Sequence, residues 1–222
     1  VDISDEISRL HVAAEPAEMG SGSWDRRRRR RLSFSQERMA FMQALATGSA
    51  AYHVAFGLRL RGPVDIGALT RAVESLPRRY DILRTRFLPA AEGILPLPLE
   101  ASSLTLRVIS ALAGGASGPD AELHIATEFC NAPFDLETGD TARAALIRTG
   151  PDSALLVFAF HHIVMDQWSY ELLLDHLSRT YAHELLGSAP PDTTQDPRFS
   201  DYAIWHRAWF RSKAFQQDRV YW

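Results

Sequence analysis

The sequence predicts one α+β domain in which helices flank a mixed β-sheet. Helical and strand-like segments alternate along the chain, and several strands follow one another directly, a pattern typical of a mixed sheet with helices packed on it. Of the 222 residues, 46% are hydrophobic and 23% are charged, so the chain has ample apolar material for a core. We therefore interpret most of the chain as one globular domain.

Residues 1–31 differ from the rest of the chain and are predicted to be a linker. Acidic residues and alanine dominate first, and Gly20-Ser21-Gly22-Ser23 is typical of flexible chain. Six arginines follow, from Arg26 to Arg31. A run of like charges is usually a solvated segment, which favours a linker over a packed element.

Apolar spacing predicts the elements of the first half of the folded region. Residues 53–61 alternate, with Val54, Phe56, Leu58 and Leu60 on one side, which predicts a half-buried strand. In chain order the expected elements are a helix from Ser33 to about Leu45, the strand at 53–61, a helix opened by Pro63 and Asp65 with the apolar face Ile66, Leu69, Val73 and Leu76, a strand at 82–88, a segment rich in Pro, Gly and Ala at 89–99, and a strand at 104–109.

The second half is predicted to contain the most buried strand. Residues 153–160 are almost entirely apolar, the pattern of a strand covered on both faces, and residues 141–148 are expected to pair with it. The other expected elements are a loop at 114–119, a helix at 121–131, a turn at 133–135, a helix from Trp168 with apolar Leu173, Leu177, Tyr181 and Leu185, a Pro-rich loop at 187–197, and a final helix at 199–209 whose Tyr202, Trp205 and Trp209 serve packing.

Two adjacent histidines follow the buried strand and are the main candidates for chemistry. A neutral imidazole accepts a proton from an amine or hydroxyl, or holds that group in line for attack. Adjacent residues of a strand point to opposite sides, so we expect His161 and His162 to have different roles. We assign His162 to the site and His161 to the core.

Asp166 lies just before the predicted long helix, and three interpretations stay open. Its carboxylate orients an imidazole, pairs with an arginine, or caps the helix, and the cap or ion pair is favoured. A metal site is disfavoured, because adjacent histidines diverge and no cysteine or third histidine has ligand-like spacing. Nucleophilic catalysis is also poorly supported, since Cys130 is distant and Ser169 lacks a Gly-x-Ser-x-Gly elbow.

Composition and charge exclude several functional classes. The net charge of -3 gives no case for binding nucleic acid or a membrane surface. We expect no transmembrane segment and no signal peptide. The single cysteine rules out an internal disulfide framework, which suits a cytoplasmic protein.

Four motifs together resemble the condensation domains of nonribosomal peptide synthetases, which have the chloramphenicol acetyltransferase-like fold. The segment HHIVMDQWS at 161–169 resembles the family signature His-His-x-x-x-Asp-Gly-x-Ser. Three further segments resemble family motifs in the expected order, namely LSFSQERM at 32–39, RYDILRTRF at 79–87 and DYAIW at 201–205.

The resemblance implies that residues 32–222 form the N-terminal lobe of a two-lobed condensation domain. The C-terminal lobe is expected to be absent from this chain, as a truncation or a split protein, so the isolated lobe is expected to be inactive. The implied reaction forms a peptide bond between a donor acyl or peptidyl thioester and an acceptor aminoacyl thioester. Both substrates are carried on the phosphopantetheine of carrier proteins, and the domain binds no cofactor. The implied partners are the upstream and downstream peptidyl carrier proteins, the C-terminal lobe and a neighbouring adenylation domain.

The resemblance also assigns roles to individual residues. His162 matches the catalytic histidine, whereas His161 and Asp166 hold the site in shape. Arg84 matches an arginine expected to be structural through buried ion pairing. The substrate channel is expected along Gln167, Trp168 and Ser169.

Departures from the family pattern keep alternatives open. Tyr80 and Asp81 replace a histidine and a glutamate, and Gln167 replaces the glycine of the signature. A glutamine there either fills the path of the acceptor arm or has been recruited to hold substrate. Ester formation, an epimerization domain and a non-catalytic recruitment module are therefore competing hypotheses. A further hypothesis is that Arg26 to Arg31 contact an acidic carrier protein.

Overall fold

A computed structural model describes residues 31–46, 48–91, 93–111, 119–188 and 198–221. The predicted linker at 1–31 lies outside the described residues except for Arg31, as do most of the predicted loops at 114–119 and 187–197. Within the described part, no helix is both long and apolar enough to cross a membrane.

The described residues form helices and strands whose bounds follow the sequence pattern closely. The predicted bounds of β1 and α5 are confirmed to the residue. The helices are α1 (Phe34–Leu45), α2 (Ile66–Arg79), α3 (Pro119–Asn131), α4 (Gln167–Leu186), α5 (Phe199–Trp209) and α6 (Lys213–Tyr221). The strands are β1 (His53–Arg61), β2 (Thr85–Ala90), β3 (Gly93–Pro98), β4 (Leu106–Ser110), β5 (Ala142–Gly150) and β6 (Ser153–His161).

The predicted mixed sheet is confirmed. Its strand order is β1-β6-β5-β4, with β6 antiparallel to both neighbours and β4 parallel to β5. Strands β2 and β3 form a separate antiparallel hairpin. Because β6 has a neighbour on each side, its backbone is held along its whole length, which fixes the position of the histidines at its end.

Helices cover both faces of this sheet, which explains the continuous apolar run of β6. On one face, Phe158 and Phe160 lie in a core cluster with residues of α2 and α4 such as Leu76 and Leu173. On the other, Val157 packs in a second cluster with Phe129 of α3. Full burial of one such side chain stabilises the fold by about 1.5–3 kcal/mol. The packing therefore makes β6 a rigid support for the residues that follow it.

Three predictions about elements are wrong, and one strand was missed. Residues 81–84 form a 3-10 turn rather than the start of a strand, because the Leu83 amide donates to the Tyr80 carbonyl at 3.0 Å. Strand β3 was not predicted, and α5 is not the last helix. The side chain of Leu185 was expected on the apolar face of α4, but it is 52% exposed.

Candidate active site

The end of β6 and the start of α4 are joined by a short turn that carries the predicted site residues. His161 is the last residue of the strand, and Gln167 is the first of the helix. The Val164 amide donates to the His161 carbonyl at 3.0 Å, so the chain reverses directly after the strand. The turn therefore places His162 and Asp166 at the end of the central strand β6.

His161 is fully buried, and its hydrogen bonds define its tautomer. Its Nδ1 accepts from the Ile163 amide at 3.1 Å, so Nδ1 holds a lone pair. Its Nε2 therefore carries the hydrogen and donates to Gln43 Oε1 at 3.2 Å. Burial, and then the His53 and His162 imidazoles, lower the pKa of His161 from 6.5 to about 4. A neutral imidazole that faces the interior is consistent with the predicted structural role.

His162 has the opposite tautomer and is only partly buried. Its Nδ1 lies 2.7 Å from the Met165 carbonyl oxygen, which only accepts, so Nδ1 must carry a hydrogen. In the neutral ring, Nε2 then holds the lone pair. The His162 amide also donates to the Tyr52 carbonyl at 2.7 Å, which ties the residue to the segment before β1. This geometry gives His162 a basic nitrogen in a fixed ring, and its catalytic role stays a prediction.

Asp166 is the N-cap of α4, one of the interpretations favoured from the sequence. Its Oδ1 accepts from the Ser169 amide at 2.8 Å and from the Ser169 hydroxyl at 2.7 Å. Within the described residues both hydrogen bonds to its carboxylate come from Ser169 and none from an arginine or an imidazole. The cap satisfies one of the amides that the start of a helix leaves unpaired.

Gln167 and Trp168 lie on the exposed first turn of α4, directly after the turn that carries His162. Gln167 is exposed, and the indole of Trp168 is 66% exposed, an unusual position for so large an apolar side chain. Ser169 is half-buried, and its hydroxyl donates to Asp166. Their predicted place along a substrate channel stays a prediction.

Among the described residues, the hydrogen bonds of Arg84 go to carbonyl oxygens, and its predicted structural role through ion pairing stays a prediction. Its Nε donates to the Pro77 carbonyl at 3.0 Å and another guanidinium nitrogen donates to the Leu99 carbonyl. Burial raises the pKa of the nearby Asp81 carboxyl, and the charges of Arg198 and Arg84 oppose that rise. The guanidinium donates to carbonyl oxygens because the end of α2 leaves carbonyl groups without helical partners and residue 99 presents another within reach.

Two residues that hold this turn were not assigned a role from the sequence. Gln36, the third residue of α1, donates from Nε2 to the Ile163 carbonyl at 3.0 Å. Its Oε1 accepts from the Ser33 amide at 3.1 Å, which completes a capping box. Gln43 lies two turns later on the same helix and contacts His161. The capping-box spacing was visible in the sequence, whereas the contacts across the fold were not.

Comparison with known proteins gives one family and one fold. The family model "Condensation domain" matches residues 27–222. The chain is 33% identical over 193 residues to an enniatin synthase of Fusarium equiseti and 33% identical over 194 residues to a malpinin synthetase of Mortierella alpina. These alignments cover 86% of this chain but only 6% and 2% of the two relatives.

The solved starter condensation domain of rhizomide synthetase RzmA has the same fold. It superposes with a TM-score of 0.77 at 20% identity, and the match covers 87% of this chain and 47% of that structure. The chain therefore spans about half the length of the solved domain.

Proposed function

This chain belongs to the condensation-domain family, and from that premise we propose that it forms one wall of an active site for nonribosomal peptide-bond formation. The donor is an acyl or peptidyl thioester on one carrier protein. The acceptor is an aminoacyl thioester on another.

The geometry of His162 carries this proposal. Its Nδ1 is held against the Met165 carbonyl, so its basic Nε2 is oriented away from that anchor. His162 is partly exposed, whereas its neighbour His161 has no exposed surface, so only His162 is open to a substrate. A fixed, accessible imidazole lone pair is what an attacking amine needs for its proton.

In the proposed reaction, His162 carries one proton from the attacking amine to the leaving thiolate. The acceptor amine attacks the thioester carbonyl carbon, and His162 Nε2 accepts the proton that the nitrogen loses. As the tetrahedral intermediate collapses, the C–S bond breaks and the C–N amide bond remains. The imidazolium then returns the proton to the leaving thiolate. His162 is thereby neutral again for the next turnover.

The other predicted residues have supporting roles in this proposal. His161 and Asp166 fix the turn and the start of α4, and Arg84 joins the end of α2 to residue 99 elsewhere in the lobe. Gln167 and Trp168 lie on the exposed turn next to His162, where an acceptor arm is proposed to pass.

The proposed partners follow from the chemistry of tethered substrates. Two carrier proteins bring the thioesters, and an adenylation domain loads the acceptor. A second lobe is proposed to form the opposite wall, and residues 1–222 alone are proposed to be inactive without it. The phosphopantetheine belongs to the carriers, so no cofactor is assigned to this domain.

The test is a comparison of His162→Ala with a matched histidine variant in the intact synthetase. With loaded donor and acceptor carriers, His162→Ala should slow amide formation roughly 10²-fold or more, because both proton transfer and orientation are lost. His124→Ala, an exposed histidine on α3, is the control and should keep wild-type turnover. Wild-type turnover by His162→Ala, measured by mass spectrometry of the carrier-bound product, would contradict the proposal.

A further inference from the structure

Helix α1 holds the catalytic turn through two side-chain amides. Gln36 binds the Ile163 carbonyl, and Gln43 binds the imidazole of His161. Ile163 and His161 are the two residues on either side of His162. The position of the proposed base is therefore coupled to a helix more than a hundred residues earlier in the chain.

The orientation of the Gln43 amide is fixed by the other hydrogen bond of His161. The Ile163 amide donates to Nδ1 at 3.1 Å, so Nε2 must be the protonated nitrogen of the neutral ring. Nε2–H needs an acceptor, and Gln43 offers its Oε1 at 3.2 Å. If the Gln43 NH2 group faced Nε2 instead, the proton would have to move to Nδ1. Two donors, Nδ1–H and the Ile163 amide, would then face each other.

The neighbours of His161 across the sheet do not provide this acceptor. His53 is paired with His161 in register, but its Nδ1 lies 2.9 Å from the Cys130 carbonyl and faces that group. Thr141 accepts the His161 amide through its carbonyl, while its buried hydroxyl oxygen has no partner within the described residues. Among the described residues, Gln43 of α1 is therefore the hydrogen-bond partner of His161 Nε2.

We propose that Gln43 is a positioning residue for His162. It keeps His161 in the neutral Nε2–H form, which holds the Ile163 amide and so fixes the turn that orients the His162 ring. The expected effect of Gln43 on turnover rests on the proposed function. The expected effect of Gln43 on hydrogen exchange at the Ile163 amide does not. A neutral amide is required, because a carboxylate at this position would favour the charged imidazolium.

The first test removes the acceptor in the intact synthetase. Gln43→Leu should lower kcat about 10-fold and leave KM within about two-fold, since a loosened turn misorients the base rather than the substrate. Hydrogen exchange at the Ile163 amide should become about 10-fold faster, because its acceptor ring is no longer held. Gln216→Leu, the same change on the exposed face of α6, should leave both quantities at wild-type values.

The second test supplies a charge and guards against a variant that simply folds poorly. In Gln43→Glu, the carboxylate beside Nε2 should raise the pKa of His161. A second proton on Nδ1 then opposes the Ile163 amide. As the pH is lowered, the Glu variant should therefore lose activity at a higher pH than wild type does, and it should approach wild-type activity as the pH rises. Among the described residues, the charged or titratable groups near this ring are Tyr52 before β1, His53 of β1, His162 of the turn, and Arg143 of β5. Arg143 covers Phe134, which contacts His161, and it pairs with Asp140.

The outcomes separate this inference from the proposed function. It is overturned if Gln43→Leu leaves Ile163 exchange unchanged, if exchange rises without any loss of kcat, or if the Glu variant has a wild-type pH profile. If His162→Ala is fully active while Gln43→Leu still accelerates Ile163 exchange, the link to His161 stands and the catalytic proposal fails.

Discussion

Replacing His161 by glutamine tests whether the folded protein keeps this imidazole neutral. The pKa of His161 falls from 6.5 to about 4 on folding, chiefly because the ring is buried. Between these two pH values the unfolded chain binds a proton that the folded chain does not. His161 therefore contributes its full stability above about pH 6.5, and this contribution is lost as the pH falls toward 4.

The size of the effect follows from the shift. Each pH unit below about 6.5 should lower the free energy of unfolding by about 1.4 kcal/mol, for a total of about 3 kcal/mol near pH 4. Glutamine does not titrate, and we expect its amide to donate to Gln43 in place of the imidazole. At neutral pH the variant should be about 1 kcal/mol less stable than wild type, because the acceptor for the Ile163 amide is lost.

Urea unfolding at a series of pH values checks this reasoning. The difference in unfolding free energy between wild type and His161→Gln should shrink and then change sign as the pH is lowered. His124→Gln, whose side chain is 72% exposed, is the control and should follow wild type closely. A difference that stays constant from neutral pH to about pH 4.5 would refute the argument that the buried ring resists protonation.

Two further predictions concern Gln167, at the start of α4, and Arg84, which follows α2. If the Gln167 side chain narrows the channel, Gln167→Gly should increase turnover or broaden the range of acceptors used. If the side chain holds substrate, the same change should slow the reaction. Identical kinetics of wild type and variant with a cognate and a smaller acceptor would mean that glutamine in place of the family's glycine has no functional role. The stability of the variant should change by no more than about 1 kcal/mol, because Gln167 is an exposed first residue of α4. Arg84→Met should destabilise the protein by about 1–3 kcal/mol in thermal unfolding, since the Pro77 and Leu99 carbonyls lose their donor; an unchanged melting temperature would contradict this.

The fold was predictable where burial imposes a simple period. Strand β1 has one half-buried face and therefore alternates, while β6 is covered on both faces and is continuously apolar. The hairpin of β2 and β3 was obscured by Pro89, Pro96 and Pro98, which a two-stranded hairpin tolerates because its outer edges need no ladder donors. Helix α6 has a mostly polar sequence, and it is held by Phe215 against Trp209 and Phe210.

The candidate site was predictable only in part, because its motif residues are local and their partners are not. The strand period was enough to separate the directions of His161 and His162, and the N-cap role of Asp166 follows from its position before a helix. Gln43 could not be found in this way. A glutamine on an amphipathic helix has no local signal for contact with a strand end 118 residues later.

The opposite tautomers of the two histidines give a physical reason for a pair in place of a single residue. A base at a strand end must present a lone pair, yet the chain must also reverse there, which leaves amides and carbonyls that need partners. His161 Nδ1 accepts a hydrogen bond from one of these donors, the Ile163 amide, and His162 Nδ1 donates to one of the acceptors, the Met165 carbonyl. Each ring then has its remaining nitrogen defined, as N–H toward Gln43 for His161 and as a lone pair for His162. The buried histidine thus shapes the turn so that the Nε2 lone pair of its neighbour is left for the proposed role as the base.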